Sequence, residues 1–330
     1  MNTDLNNKKI FESINGASRV LLLTDERIDG DTTGSTLAMF HYLTSIGKEV
    51  VVFSPKAWAS EYHFLPGREC VQFDVAVLGQ PADLMMIFDC ADGAYLKNIV
   101  LPEKPLVVFD HHATNPHYGT INQIIVDASS TGEVVWRFFK ANKISINKEM
   151  ATCLLTAICT DTTLFTNPST NQVCMEAAAE LGLAGAKVQE VIKAVYMNKS
   201  VELLKTWGIV LERLQELPEG VVVSYLLAKD KAVTGVAEVD TSAISNFLIG
   251  MVASARVIAI LSEKDDGSVK ASLRTLDGDV AAIAQRFGGG GHVKAAGFSI
   301  NNARLAETPY GWRVERSDGA FLPVAEMLKS

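Results

Sequence analysis

The chain has 330 residues, 48% hydrophobic and 21% charged, with a formal charge of −8. That is enough for two domains with sizeable cores. The negative balance excludes a large non-specific nucleic-acid surface, while leaving room for a short strand at a local basic pocket.

Five cysteines without a C-x-x-C pair suit reduced thiols better than a disulfide frame. The amino terminus carries no apolar signal region and no apolar run reaches bilayer length, so a cytoplasmic protein without membrane partners is the expectation. Residues Leu5 to Ala17 read as a leading helix and Arg19 to Thr24 as the first buried strand. After DERIDGDTTGS, the apolar positions Leu37, Phe40 and Ile46 trace a helix beginning past Gly34 and stopped by Gly47, with EVVVFS as the next strand. LMMIFD (84–89), PLVVFD (105–110) and INQIIVD (121–127) are three further apolar runs, each ending in an acid. Buried strands of this kind belong to parallel sheets, and in open α/β sheets ligands bind at the carboxyl edge.

Ser129, Ser130 and Thr131 then cap a helix with an apolar face at Val134, Val135 and Phe138. A helix over Met150 to Cys159 runs into Asp161, a fourth acid at the end of an element, before the polar loop TNPSTN. Helical pattern continues from Gln172 to Ala184 and from Val188 to Leu217, with Pro218, Glu219 and Gly220 as punctuation. The expected organisation is an α/β catalytic domain over 1–187, a helical linker over 188–217 and a smaller α/β domain with a mixed sheet over 218–330. The second domain reads as VVVSYLLA, a helix near Thr241 to Val252, VIAILSE, VKASLRT, a helix at Val280 to Phe287, GGGGH and AAGFSI.

The chemistry gathers on acids and two adjacent imidazoles. Asp29, Asp31, Asp89, Asp110, His111 and Asp161 are hard oxygen donors with one or two nitrogens, a mixture suited to Mn²⁺ or Mg²⁺. Two such ions bridged by a carboxylate activate water and stabilise in-line displacement at phosphorus. Asp29-Gly30-Asp31 reads as an extended loop in which side chains two apart point the same way. Taken singly, each Asp is more simply a helix cap or a turn former; four element-ending acids beside FDHH shift the balance toward a site. Gly288 to Gly291 let the backbone approach a phosphate, and with His292 and Arg274 they form a candidate anion-binding group.

Asp110-His111-His112, the order of the acidic motifs, and GSVKASLRTLDGDVAAIAQRFGGGGHVKAAGF at 267–298 resemble the DHH phosphoesterase family, in the subfamily with a DHHA1 carboxyl-terminal domain. Within it the chain is most similar to small bifunctional enzymes that degrade very short oligoribonucleotides and remove the 3′-phosphate of adenosine 3′,5′-bisphosphate. The resemblance implies two divalent ions, Mn²⁺ ahead of Mg²⁺, with Asp29 and Asp89 on one, and Asp31, Asp89, His111 and Asp161 on the other. It gives His112 to the substrate phosphate, Asp110 to orienting the histidines, and Arg274, Gly288, Gly289, Gly290, Gly291 and His292 to substrate binding. Short RNA, dinucleotides and mononucleotides are the implied substrates, and a homodimer the implied assembly.

The chain departs from the family pattern at three positions. Asp25 stands where a histidine usually opens the first motif, Ile28 where proline is common, and Thr163 where glycine often follows the fourth acidic motif. Asp25 is kept as a candidate ligand, beside readings as an orienting or surface acid; a carboxylate there shifts preference toward Mg²⁺ or loosens selectivity. The Asp127 loop with Ser130, Thr131 and Gly132 reads as structural. Rival readings are a cyclic or linear dinucleotide phosphodiesterase, an inorganic pyrophosphatase, and a nucleotide-binding regulator with impaired catalysis.

Overall fold

Apolar runs that end abruptly in acids make short, buried parallel strands at 19–24, 84–88 and 106–110, whereas the run expected over 121–127 forms a strand only over Ile121–Ile124, half-buried and ending before Asp127. The computed structural model describes residues 3–166, 168–236 and 239–329, with the backbone alone at Thr3, Asp4 and His292. It divides into two compact units, meeting in sequence at Asn198 and Lys199.

In the first unit, helix α1 (Thr3–Gly16) leads into β1 (Arg19–Thr24), α2 (Gly30–Ser45), β2 (Glu49–Phe53) and the short β3 (Val71–Gln72). Strands β4 (Leu84–Phe88), β5 (Leu106–Asp110) and β6 (Ile121–Ile124) follow, then α3 (Thr131–Ala141), α4 (Lys148–Asp161), α5 (Gln172–Leu183) and α6 (Val188–Val195). All six strands are parallel, in the order β3-β2-β1-β4-β5-β6. A doubly covered sheet needs apolar residues on both faces. Val20, Leu22, Met86, Phe88, Val107 and Phe109 face the core shared with α2, α3 and α4, whereas Leu21, Leu23, Met85, Ile87 and Val108 face a second core on the opposite side.

Helix α2 differs from the sequence expectation. It begins at Gly30 rather than after Gly34, because Asp29 caps it through Oδ1, which accepts the Asp31 and Thr32 amide protons at 2.9 and 3.0 Å. Asp31 therefore lies in the first helical turn and not in an extended loop. Low helix propensity in GDTTGS is overridden by tertiary packing. A Cβ on Gly34 would stand 2.3 Å from the Cys153 carbonyl oxygen, and one on Gly30 would stand 2.0 Å from Thr160 Oγ1, so glycine alone allows α2 to lie this close to α4.

In the second unit, α7 (Val201–Glu212) is followed by β7 (Gln215–Leu217), β8 (Val221–Leu226), α8 (Ala228–Thr234), α9 (Thr241–Ile249), β9 (Val257–Glu263) and β10 (Val269–Thr275). Then come α10 (Val280–Gln285), β11 (Gly290–His292), β12 (Ala295–Ile300), β13 (Ala303–Thr308), β14 (Gly311–Arg316), β15 (Phe321–Pro323) and α11 (Val324–Met327). The main sheet is mixed, ordered β11-β12-β10-β9-β8-β7, with β8 and β9 parallel and the other pairs antiparallel. Of the segment expected as a linker, α6 lies in the first unit and α7 in the second. Its last residues form strand β7, which the sequence reading had continued as helix. No helix among the described residues is long and apolar enough to cross a membrane.

Candidate active site

Strands β1, β4 and β5 deliver three carboxylates to one edge of the first unit's sheet, and the amino termini of α2 and α3 arrive beside them. Asp31 is fully buried. Its Oδ2 accepts the Thr131 amide proton at 2.7 Å and its Oδ1 that of Gly132 at 2.8 Å, so the first turn of α3 holds an acid carried by α2. Asp89 follows β4 with φ 55, a left-handed conformation uncommon for a residue with a Cβ. Thr32 Oγ1 donates to Asp89 Oδ2 at 2.7 Å and Thr131 Oγ1 to Oδ1 at 3.4 Å.

The histidine pair divides its contacts. His111 Nε2 lies 3.1 Å from Asp161 Oδ2, 3.9 Å from Asp89 Oδ1 and 4.0 Å from Asp31 Oδ2. Its other nitrogen, Nδ1, lies 3.2 Å from the Ala128 carbonyl oxygen, which orients the ring. His112 Nδ1 lies 2.7 Å from Asp110 Oδ1 and 3.6 Å from Asp89 Oδ1. Asp110 Oδ1 also accepts both histidine amide protons, at 2.8 and 3.2 Å, while Asn115 donates to Oδ2 at 2.6 Å.

Electrostatics follow from this crowding. Burial first, then the charge of Asp161, raises Asp29 to about 6. The same two causes push Asp31 well above the ordinary carboxylate range, and burial followed by the charge of Asp31 does so for Asp89. Burial opposes charge on His111, yet its hydrogen bond and attraction to Asp161 prevail and raise it to about 10. Asp110 moves the other way: burial works against its ionisation, but the His112 hydrogen bond outweighs it and holds the carboxyl low. Acids that resist ionisation when alone are the donors a cation would relieve.

Two sets of donors gather within 4.8 Å among the described residues: Asp31 with His111 and Asp161, and Asp89 with His111 and His112. Hard carboxylates with imidazole fit a Mn²⁺- or Mg²⁺-like ion. Asp29 caps α2 beside them. Asp25 belongs to neither set; it is buried, its Oδ1 accepts the Glu26 amide proton at 2.7 Å, and its Oδ2 pairs with Arg27 at 3.0 Å. The loop at Ser130, Thr131 and Gly132, read from sequence as structural, holds Asp31 directly. Thr32 and Asn115 were missed altogether, since a lone hydroxyl or amide carries no periodic signal. Tyr62 was missed too. Burial, then the nearby Asp29 charge, raises its phenol.

In the second unit, Arg274 and Gly288 to Gly291 line one pocket of about 570 Å³ with Ser242 and Lys270. Arg274 donates from Nε to Asn246 Oδ1 and from Nη1 to the Leu273 carbonyl at 2.8 Å. Burial lowers its pKa, partly countered by Asp240. The glycines do not open a helix: they follow α10 and pass into β11. A Cβ on Gly289 would stand 2.2 Å from the Gly297 carbonyl oxygen, which demands a bare backbone. Arg274, Ala295 and His292 share one row across β10, β12 and β11; the His292 side chain lies outside the described residues.

Residues 19–158 match the DHH family, N-terminal domain, and residues 219–308 match the DHHA1 domain. A curated bifunctional oligoribonuclease and PAP phosphatase NrnA from Thermus thermophilus is 28% identical over 301 residues, covering 90% of this chain and 88% of the relative. One of the same description from Bacillus subtilis is 23% identical over 297 residues, covering 88% and 92%. A solved exopolyphosphatase-related protein from Bacteroides fragilis superposes with a TM-score of 0.81 at 23% identity, covering 90% of this chain and 91% of that one, and shares its fold.

Proposed function

Because the chain is a DHH-family phosphoesterase with a DHHA1 domain, a hydrolase of phosphoester bonds, we propose that it cleaves very short oligoribonucleotides to mononucleotides and removes the 3′-phosphate of adenosine 3′,5′-bisphosphate. The observation that carries this reading is the convergence of Asp31, Asp89 and Asp161 on His111 Nε2, beside a His112 held by Asp110. The relatives described as bifunctional oligoribonuclease and PAP phosphatase span most of their length with this chain, which supports the substrate class.

In this reading Asp29 and Asp89 would hold one divalent ion, and Asp31, Asp89, His111 and Asp161 the other. Divalent charge there would supply Lewis acidity toward phosphate oxygens and acidify water. The chain's own residues do the rest. Thr131 and Gly132 fix Asp31 through backbone amides, and Thr32 fixes Asp89. Asp110 accepts a hydrogen bond from His112 Nδ1–H, setting the tautomer and presenting Nε2 to a phosphate oxygen. With its second proton, that ring donates a charge-assisted hydrogen bond to the oxygen on which charge develops. Asp25 joins the ligand set only if Arg27 leaves it. Arg274 and the glycine run bind the nucleotide's phosphate.

The test is a panel of pApA, adenosine 3′,5′-bisphosphate, cyclic di-AMP and pyrophosphate, each with Mn²⁺ and with Mg²⁺. The proposal expects turnover of the first two, abolished by Asp89→Asn. Turnover of cyclic di-AMP or pyrophosphate alone would replace it with a rival reading, and inactivity on all four despite cation binding would leave a nucleotide-binding protein.

A further inference from the structure

Thr163, Leu164 and Phe165 are three consecutive non-glycine residues with positive φ, at 48, 56 and 64°, immediately after Asp161 and its capping residue Thr162. Single left-handed residues are routine only for glycine; a run of three that includes a β-branched Thr is an outlier the surrounding structure must enforce.

The enforcing contacts are identifiable. The Leu164 amide donates to the Cys159 carbonyl at 2.8 Å and the Thr163 amide to that of Thr160 at 3.1 Å, the paired bonds that end a helix with a left-handed residue, normally glycine. Here the left-handed path continues. The Thr166 amide donates to the Thr162 carbonyl at 3.0 Å, and the Phe165 amide to Thr162 Oγ1 at 3.1 Å. Thr162 Oγ1 in turn donates to the Ile158 carbonyl at 2.6 Å, tying the turn back to the last helical turn, the one that carries Asp161. Leu164 and Phe165 pack against the core as the turn reverses direction.

We propose that this left-handed turn is a positioning element, with Thr162 as its central residue, that holds the Asp161 carboxylate against His111. Its strain accompanies the abrupt end of α4 at that carboxylate, where three left-handed residues follow the cap directly. The inference rests on the reading of Asp161 as a divalent-cation ligand.

Calorimetric titration with MnCl₂ and thermal melts of the metal-free protein test it on the wild type and four variants. Thr163→Gly keeps the dihedral without the strain, so its melting temperature is expected to rise by about 2–4 °C with Mn²⁺ affinity unchanged. Thr162→Val removes the hydroxyl that closes the turn and is expected to bind Mn²⁺ about tenfold more weakly, whereas Thr162→Ser retains wild-type affinity. Should Thr162→Val not fold, the double variant Thr162→Val/Thr163→Gly, in which relieved strain offsets the lost bonds, carries the same expectation. Wild-type Mn²⁺ affinity in the valine chains, with only the melting temperature lowered, would make the turn merely structural and overturn the proposal; so would a lower melting temperature in Thr163→Gly. A wild-type protein that binds no Mn²⁺ overturns the ligand reading itself, and this inference with it.

Discussion

His111 Nε2 stands 3.1 Å from Asp161 Oδ2, joining the loop after β5 to the last residue of α4. The contact helps raise His111 to about 10, and a proton held there offsets part of the negative charge that a cation would otherwise balance. Asp31 and Asp89 also lie near the same nitrogen, at 4.0 and 3.9 Å, so negative charge from three elements converges on one imidazole.

The stability of the metal-free protein should therefore fall as pH rises above about 5. Asp29, Asp31 and Asp89 have folded pKa values above their unfolded ones, so each contributes stability below the unfolded value that is lost as pH rises through the folded value, about 6 for Asp29. His111, raised to about 10, has the same sign at higher pH. Melting curves in EDTA from pH 5 to 8 are expected to decline, and the increment from added Mn²⁺ to grow with pH. An increment equal at both ends would contradict the picture.

Asp110→Asn should separate orientation from metal binding. It removes the carboxylate that fixes His112, so kcat on pApA should fall by roughly 10- to 100-fold while Mn²⁺ affinity changes little. Mn²⁺ binding lost in parallel would instead make Asp110 a support of the whole cluster.

Gly34→Ala tests the close approach of α2 to α4. With a Cβ 2.3 Å from the Cys153 carbonyl oxygen, the helices must part, at a cost of roughly 1–3 kcal/mol. A melting temperature lower by roughly 3–10 °C is expected, together with weaker Mn²⁺ binding, because Asp31 and Asp161 ride on the two helices. An unchanged melting temperature would show that the crossing has slack.

Much of this was legible in the sequence, and the reason is physical. A short apolar run such as RVLLLT or LVVFD, rich in aliphatic residues and stopping at an acid, reads as a buried strand ending at a sheet edge, so β1, β4 and β5 and their acids could be located without coordinates. The start of α2 could not, because GDTTGS has poor helix propensity and is helical only through glycine-permitted packing on α4. Thr32 and Asn115 hold Asp89 and Asp110, yet isolated polar residues announce nothing about their partners. Strand β7 is three residues long and follows a helical run, too short for alternation to register. The sheet of β13, β14 and β15 had no sequence reading: its strands are only partly buried, so no apolar run marks them, and β15 is three residues long.

Arg274→Ala should raise KM for pApA by roughly tenfold or more with a smaller effect on kcat, and Arg274→Lys should recover only part of it, since Lys cannot reproduce the fork that Asn246 and Leu273 hold in place. Comparison of diribonucleotide with a twenty-residue RNA extends the test. If the pocket reads a phosphate of a very short substrate, the short one is turned over much faster; comparable rates would remove length selection from the account.

Metal-dependent phosphoester cleavage at this sheet edge is tested most directly by turnover of pApA titrated with Mn²⁺, for the wild type and for Asp89→Asn. Saturable, Mn²⁺-dependent release of AMP is expected from the wild type and none from the variant, whose fold is retained by circular dichroism. Release of AMP by the wild type in EDTA, or by a folded Asp89→Asn chain at the wild-type rate, would contradict that expectation.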